Sequence, residues 1–294
     1  MEETTMILVT GATGNVGGKV LALLRADGHK VRALTRDPGR AAFDGGADLE
    51  VVAADLGRPE TLAPALDGVQ KVFLMSLGAN KATHDAHLVA AAREAGVEHI
   101  VQLSTLGVEM AEDAESNPLG HWHRVAEEAL RDSGIAWTIL RPNGFMSMNL
   151  GWAESIKAEG VARGPLADVP EAIVDPRDIA EVAVRALTGE GHRGQVYDLT
   201  GPQALTAREQ LAVLGSLLGR DLRFETVPLS VQREMMLRHF SEETVNGVIR
   251  TLQEAIEHGS ELHGRLSPDV RRVLGREPRS FAAWAHDHLH LYRP

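Results

Sequence analysis

An α/β fold, with a doubly wound parallel sheet followed by a smaller, mainly helical C-terminal lobe, is predicted for this chain of 294 residues by three observations. Short apolar, β-branched runs alternate with longer amphipathic stretches over the first two thirds. A glycine-rich turn stands directly behind the first of these runs, and beyond about Gly201 the strand-like runs give way to helical ones.

The strands predicted in order are Met6–Thr10, Lys30–Leu34, Leu49–Ala53, Lys71–Met75, Ile100–Leu103, Trp137–Leu140 and Val196–Leu199. Helical patterns fall between them at Val16–Asp27, Pro59–Leu66, Thr83–Ala95, Arg124–Ser133 and Asp178–Leu187. In the first helix Val16, Val20, Leu23 and Leu24 recur at helical spacing and Gly28 supplies a stop. The last third reads as helices over Ala207–Leu218, Ser230–His239, Glu242–His258, Pro268–Leu274 and Phe281–His288. The expected division is therefore 1–200, a dinucleotide-binding domain with part of the substrate cleft, and 201–294, a small helical substrate lobe over the open end of the sheet.

Composition narrows the function classes. A net charge of −11 argues against nucleic acid, whose phosphates call for a basic patch. There are no cysteines, which removes disulfides, zinc–thiolate sites and thiol nucleophiles. No apolar stretch reaches the length of a membrane span, and Met1–Thr5 is acidic where a signal peptide is basic. A cytoplasmic protein is the expectation. A homodimer is compatible with these features, but the residues do not fix the oligomeric state.

The turn Thr10-Gly11-Ala12-Thr13-Gly14-Asn15-Val16-Gly17 carries the first chemical reading. Glycines let backbone N–H groups approach a diphosphate, and the helix that follows points its positive end at that charge. Thr10, Gly11, Thr13, Gly14, Asn15, Val16 and Gly17 are the expected diphosphate loop of a Rossmann-type fold. After the second strand an acidic residue would select NAD, but this chain has Thr35-Arg36-Asp37-Pro38. Arg36 offers a cationic fork for a 2′-phosphate, so NADP is expected and NAD disfavoured; Asp37 reads as a turn residue before proline. Asp55 and Leu56 are placed to touch the adenine edge, with helix capping as the alternative role for Asp55. Met75, Ser76 and Leu77 end the fourth strand and complete the cofactor set.

Ser104, Thr105 and Asn143 follow the fifth and sixth strands and are expected to face the substrate, ordinary strand-end hydrogen bonding being the alternative. Met146, Met148 and Trp152 offer an apolar wall or core packing. Neither the His121/His123 pair nor the cluster His286, His288, His290 has the spacing of a metal site.

At this point the chain resembles a known family. TGATGNVG at 10–17, the RDP after the second strand, ADL at 54–56, SGIAWTILRPNGFM at 133–146, VDPRDIAEVA at 174–183, GQVYDLTGPQALT at 194–206 and GREPRSFAAWAHDH at 275–288 are similar to the NmrA-like atypical short-chain dehydrogenase/reductases. The matches run in order along nearly the whole chain. The resemblance implies a Rossmann domain with a small substrate lobe. Its members include NADPH-dependent quinone reductases, triphenylmethane-dye reductases and non-catalytic NADP-sensing regulators.

The departure from typical short-chain dehydrogenases bears on mechanism. Those enzymes use Tyr-x-x-x-Lys, whereas this chain has only Tyr197 and Tyr292, neither followed by lysine four residues on. Counting back from Ser133-Gly134, Leu119 takes the tyrosine place and His123 the lysine place. His123 is then expected to bind the nicotinamide ribose or donate a proton, with Glu127 one turn away orienting it; a surface histidine paired with Glu127 is the plainer alternative. Without the tyrosine acid, a conjugated acceptor is the favoured substrate, because incoming charge spreads over its π-system. The expected function is NADPH-dependent hydride transfer to a quinone, enone or aromatic polyketide-like compound. A non-catalytic NADP(H) sensor and a redox-neutral enzyme on the same fold stand as alternatives.

Overall fold

The computed structural model describes residues 5–40, 43, 45–111, 117–258 and 261–293. Seven parallel strands form the main sheet: β1 (Met6–Val9), β2 (Lys30–Thr35), β3 (Leu49–Ala53), β4 (Lys71–Leu74), β5 (His99–Leu103), β6 (Ala136–Pro142) and β8 (Gln195–Leu199). Their order is β3-β2-β1-β4-β5-β6-β8, so the winding reverses between β1 and β4. In open parallel sheets ligands bind at such a reversal, beyond the carboxyl ends of the strands. All seven strands match the apolar runs of the sequence to within a residue or two. β5 is buried at every residue, and its two polar members are bonded: His99 to Thr138 Oγ1 and Gln102 to Asp85 Oδ2.

Helices cover both faces. α1 (Gly17–Ala26) and α6 (Pro176–Thr188) pack together on one face, and α2 (Leu62–Leu66), α3 (Lys81–Glu94) and α4 (Pro118–Arg131) lie on the other. Two apolar clusters result, one built around Val9, Val20, Val101 and Ile179, the other around Leu8, Leu74, Leu88 and Ile139. The alternation of Leu8 and Val9 between them is the period-two geometry of a strand buried on both faces. α4 starts six residues before the predicted Arg124: Asn117 caps it by accepting from Gly120 N at 2.9 Å, and Pro118 stands at its first position, where no donor is lost.

The sequence reading omitted α5 (Ala153–Glu159), β7 (Val161–Gly164) and β9 (Arg223–Thr226); the two strands form a separate parallel pair. With α7 (Ala207–Leu218) and α12 (Phe281–Asp287) they enclose a third core, in which Ile156, Ala162 and Ile173 meet Leu211, Leu214, Phe281 and Trp284. That core draws on residues from both sides of position 200. α7 ends where its apolar pattern ends, and it is opened by a capping box between Thr206 and Glu209. α8 (Leu229–Leu237) and α9 (Glu242–His258) pack on each other, and α9 also lies across α4. Gly247 allows that crossing, since a Cβ there would stand 3.0 Å from the Trp122 ring. α10 (Glu261–Gly264) and α11 (Asp269–Leu274) return the chain to β8 and α6. Among the described residues no helix is long and apolar enough to cross a membrane.

Candidate active site

Two adjoining cavities open beyond the carboxyl ends of the strands. The first, of about 510 Å3, is lined by Thr10, Gly11, Thr13, Gly14, Arg36, Asp55, Leu56, Met75, Ser76 and Leu77, together with Thr35, Asp37 and His84. Ten of the thirteen residues expected to bind the cofactor therefore meet in one place. The loop is shaped by Gly11, whose φ of +60° favours glycine, and by Gly17 at the start of α1. A Cβ on Gly17 would collide with the Gly11 carbonyl, 2.6 Å from its carbon. Thr10 gives its side chain to the frame: its hydroxyl donates to Met75 O at 2.8 Å and accepts from Met75 N at 2.7 Å, joining the ends of β1 and β4.

Asn15, Val16 and Gly17 do not line this cavity. Val16 is in the core, Gly17 is pressed on Gly11, and Asn15 donates to Ser147 Oγ at 2.7 Å while accepting from Lys19 Nζ. Their part is to shape the loop and tie it to the segment after β6. Arg36 stands exposed at the end of β2 and makes no ion pair among the described residues. Asp37 is a turn residue, with its carboxylate accepting from Gly39 N at 3.1 Å. The same turn role occupies Asp55, which accepts from Gly57 N at 2.9 Å while bordering the cavity. Glycine backbone, a free guanidinium and a cleft of this size suit a phosphorylated dinucleotide.

The second cavity, of about 410 Å3, shares Met75, Ser76 and Leu77 with the first. Ser104, Thr105, His123 and Asn143 all line it, so the structure collects the four residues expected at the substrate. Apolar walls come from Leu103, Leu106, Met110, Leu119, Phe145, Met148 and Leu166, and from Val248, Leu252 and Ala255 on α9. Met146 and Trp152 belong instead to packing: Met146 is buried in the third core and Trp152 meets Phe224 edge-on. Among the described residues no tyrosine and no Lys or Arg borders this cavity. Tyr197 is paired with His192, and Tyr292 donates to Asn149 O at 2.9 Å.

The geometry corrects several side-chain roles. Ser104 donates its hydroxyl to Glu127 Oε1 at 2.5 Å. Glu127 does not orient His123: it is fully buried and grips Arg141 through two bonds of 2.9 and 2.7 Å, with Arg131 at 3.2 Å. Asn143 donates to His263 O at 2.7 Å and accepts from Gly144 N at 2.8 Å. Thr105 caps a short 3-10 turn by accepting from Gly107 N at 3.2 Å, which leaves its own hydroxyl proton free. Ser76 turns inward to Asp85 Oδ1 at 2.5 Å, within a buried group where Lys81 Nζ reaches Asp85 Oδ2 at 2.9 Å and Leu103 O at 3.1 Å. His123 Nδ1 is buried without a hydrogen-bond partner. Burial, joined by the nearby Lys81 ammonium, pushes His123 well below the usual histidine value, so its imidazole is neutral.

Glu171, Thr251, Leu252, Ala255 and His263 also line the cavity and were missed in the sequence; no motif marks Glu171 or His263, while Thr251, Leu252 and Ala255 share one face of α9 by their spacing. The C-terminal histidines are structural or exposed: His288 stacks on Trp284 with ring centres 4.5 Å apart. Among the described residues no group of three or more His, Asp or Glu is placed to hold a metal ion.

Comparison with known proteins gives the family. A family model described as NAD(P)H-binding matches residues 11–190, more than half of the chain. The chain is 42% identical to a (4-alkanoyl-5-oxo-2,5-dihydrofuran-3-yl)methyl phosphate reductase of Streptomyces griseus, covering 98% of this chain and 100% of that protein. It is 36% identical to an NAD(P)H azoreductase of Xenophilus azovorans, covering 96% and 98%. The solved structure of the NADPH-dependent quinone oxidoreductase of Escherichia coli with NADPH superimposes with a TM-score of 0.83 at 26% identity, covering 97% of this chain and 100% of that one. With the fold and these relatives in agreement, the chain belongs to the NAD(P)H-binding family, as an NAD(P)H-dependent reductase.

Proposed function

We propose that the protein reduces a conjugated, largely apolar acceptor with NADPH. The observation that carries this reading is the wall shared by the two cavities: Met75, Ser76 and Leu77 border both, so a nicotinamide reaching past them meets an acceptor in the second. That second space is apolar, about the size of a substituted ring system, and lacks a tyrosine acid. An acceptor whose π-system disperses the incoming charge suits it better than an isolated ketone. The relatives' names describe a butenolide phosphate reductase, an azoreductase and a quinone oxidoreductase, all of which act on conjugated systems. Among the described residues no Lys or Arg lines the cavity, so a phosphate ester is expected to remain outside these walls. Arg36 supports NADPH over NADH, through a charge-assisted bond to the 2′-phosphate.

The test is NADPH oxidation against quinones, an azo dye, a butenolide with and without its phosphate, and a simple ketone. Turnover is expected with the uncharged conjugated acceptors and far less with the ketone. Tight NADPH binding without turnover on any acceptor would replace this reading with that of a sensor.

A further inference from the structure

Reduction of a conjugated acceptor adds a hydride and a proton, and the four residues singled out in the sequence supply no ready proton. Ser104 has committed its hydroxyl to Glu127, and Asn143 carries no acidic hydrogen. Thr105 is a weak acid, and His123 is neutral. One further acid borders the same cavity.

Glu171 lies between β7 and α6, and its backbone is fixed from two sides. It exchanges hydrogen bonds with Leu205, at 3.1 Å from Glu171 N and 3.0 Å back to Glu171 O. The next residue, Ala172, donates to His263 O at 2.7 Å, the carbonyl that also accepts from Asn143. The side chain faces the cavity beside Phe145, Leu166 and Leu262, with Oε1 3.9 Å from where a Cβ on Gly144 would stand.

Among the described residues the Glu171 carboxyl has no hydrogen-bond or ion-pair partner, whereas the buried Asp85 and Glu127 each hold a cation. Its neighbours bring no compensating charge. His263 on α10 and His123 on α4 face the cavity, and burial lowers both, leaving them neutral. Of the residues just beyond Leu205, Arg208 is paired with Asp168, and Glu209 is engaged with Thr206. Beyond α10, Arg265 is held by Glu109 and Asp198. An ionised carboxylate in such a place is costly, and burial pushes Glu171 up from the usual carboxylate range. A carboxyl raised in this way and set in a mainly apolar wall has the character of a general acid.

We propose that Glu171 is the proton donor of the reduction, delivering its hydrogen to the oxygen or nitrogen of the conjugated acceptor. The role rests on the reductase reading above. The reduced nicotinamide supplies both electrons as hydride to the far end of the π-system and is itself oxidised. The Glu171 O–H bond breaks, the new O–H or N–H bond forms on the acceptor, and the carboxylate left behind takes a proton from water.

The experiment compares wild type with Glu171→Gln, which keeps the shape and removes the proton. Expected are unchanged folding and NADPH affinity, a fall of about 10²-fold in kcat, and a KM for the quinone within a few fold. Wild-type kcat should decline as pH rises through the Glu171 pKa, and E171Q should lose that decline. A second readout needs no turnover: with carbon-13 in the glutamate carboxyls, one resonance should titrate above the ordinary range in wild type and be missing from E171Q. Full turnover with an unchanged pH profile in E171Q, or a Glu171 resonance titrating in the ordinary range, would overturn the assignment alone. A wild-type protein that binds NADPH and reduces none of the acceptors would overturn the reductase reading, and this role with it.

Discussion

Ser104 Oγ and Glu127 Oε1 stand 2.5 Å apart behind the substrate cavity, and the bond between them sets what each can do. A carboxylate already gripped by Arg141 has drawn the strand-end hydroxyl into the frame, so Ser104 offers the cavity a wall, with its hydroxyl turned away. Replacing Glu127 with Ala leaves the largely buried Arg141 guanidinium with the longer contact to Glu109, at 3.8 Å, as its ion pair. Urea unfolding should show a loss of about 3–5 kcal/mol, the scale for breaking one side of a buried pair. A loss under about 1 kcal/mol would place the pair with exposed ion pairs.

Arg36 is the residue we propose to set the cofactor preference. Arg36→Ala should weaken NADPH binding by about 1.5–3 kcal/mol, roughly 10- to 150-fold, and leave NADH nearly unchanged. Calorimetric titration with both cofactors measures the difference, and equal losses would remove the assignment.

Two glycines of the loop should fail differently. A Cβ on Gly14 would stand 3.1 Å from Gly11 O and project at the cleft, so Gly14→Val should fold and lose both cofactors. Gly17→Ala drives a methyl into the Gly11 carbonyl itself and should lower the melting temperature before any cofactor is added. Circular dichroism with calorimetry separates the two.

His123 is neutral and presents a cavity-lining ring with an unpartnered nitrogen, which suits hydrogen bonding to the acceptor or the ribose. His123→Ala should raise KM by up to about tenfold, the worth of one hydrogen bond, with kcat nearly kept and no change in the pH profile. A fall in kcat of about 10²-fold with KM unchanged would restore it as the acid.

His99 gives stability a pH dependence. Its Nε2 lies 2.9 Å from Thr138 Oγ1, which donates its own hydrogen to His192 O, so His99 is the donor in that bond. Burial, joined by Lys71, Arg193 and His192, pushes its pKa down to about 4. The unfolded chain then binds more protons than the folded one between about 6.5 and 4. Stability is full above about pH 6.5 and declines as pH falls through that window, by about 3 kcal/mol from this group. His99→Gln should flatten that part of the curve in denaturant titrations.

The sheet was legible because its central strands are buried and carry short apolar, β-branched runs, and α7 and α9 match their amphipathic patterns end to end. The pair β7 and β9 was not legible: VARG and RFET are short, carry charges and pair only with each other. The glycine loop that lines the first cavity was legible because its backbone demands glycine at fixed places. His123, singled out by its spacing, lines the second cavity, but an i, i+4 relation did not reveal that Glu127 turns toward Arg141, 14 residues on. Glu171 had no signature at all. A lone glutamate acquires meaning only once the walls around it are known to be apolar.

Val248, Thr251, Leu252 and Ala255 follow an i, i+3, i+4, i+7 spacing, so a single face of α9 supplies one side of the acceptor cavity. The opposite side is made of strand-end loops anchored in the sheet. Changes of acceptor can thus accumulate on one helix, residue by residue, without disturbing the cofactor loop. On such a scaffold, relatives can diverge in what they reduce while keeping the same source of electrons.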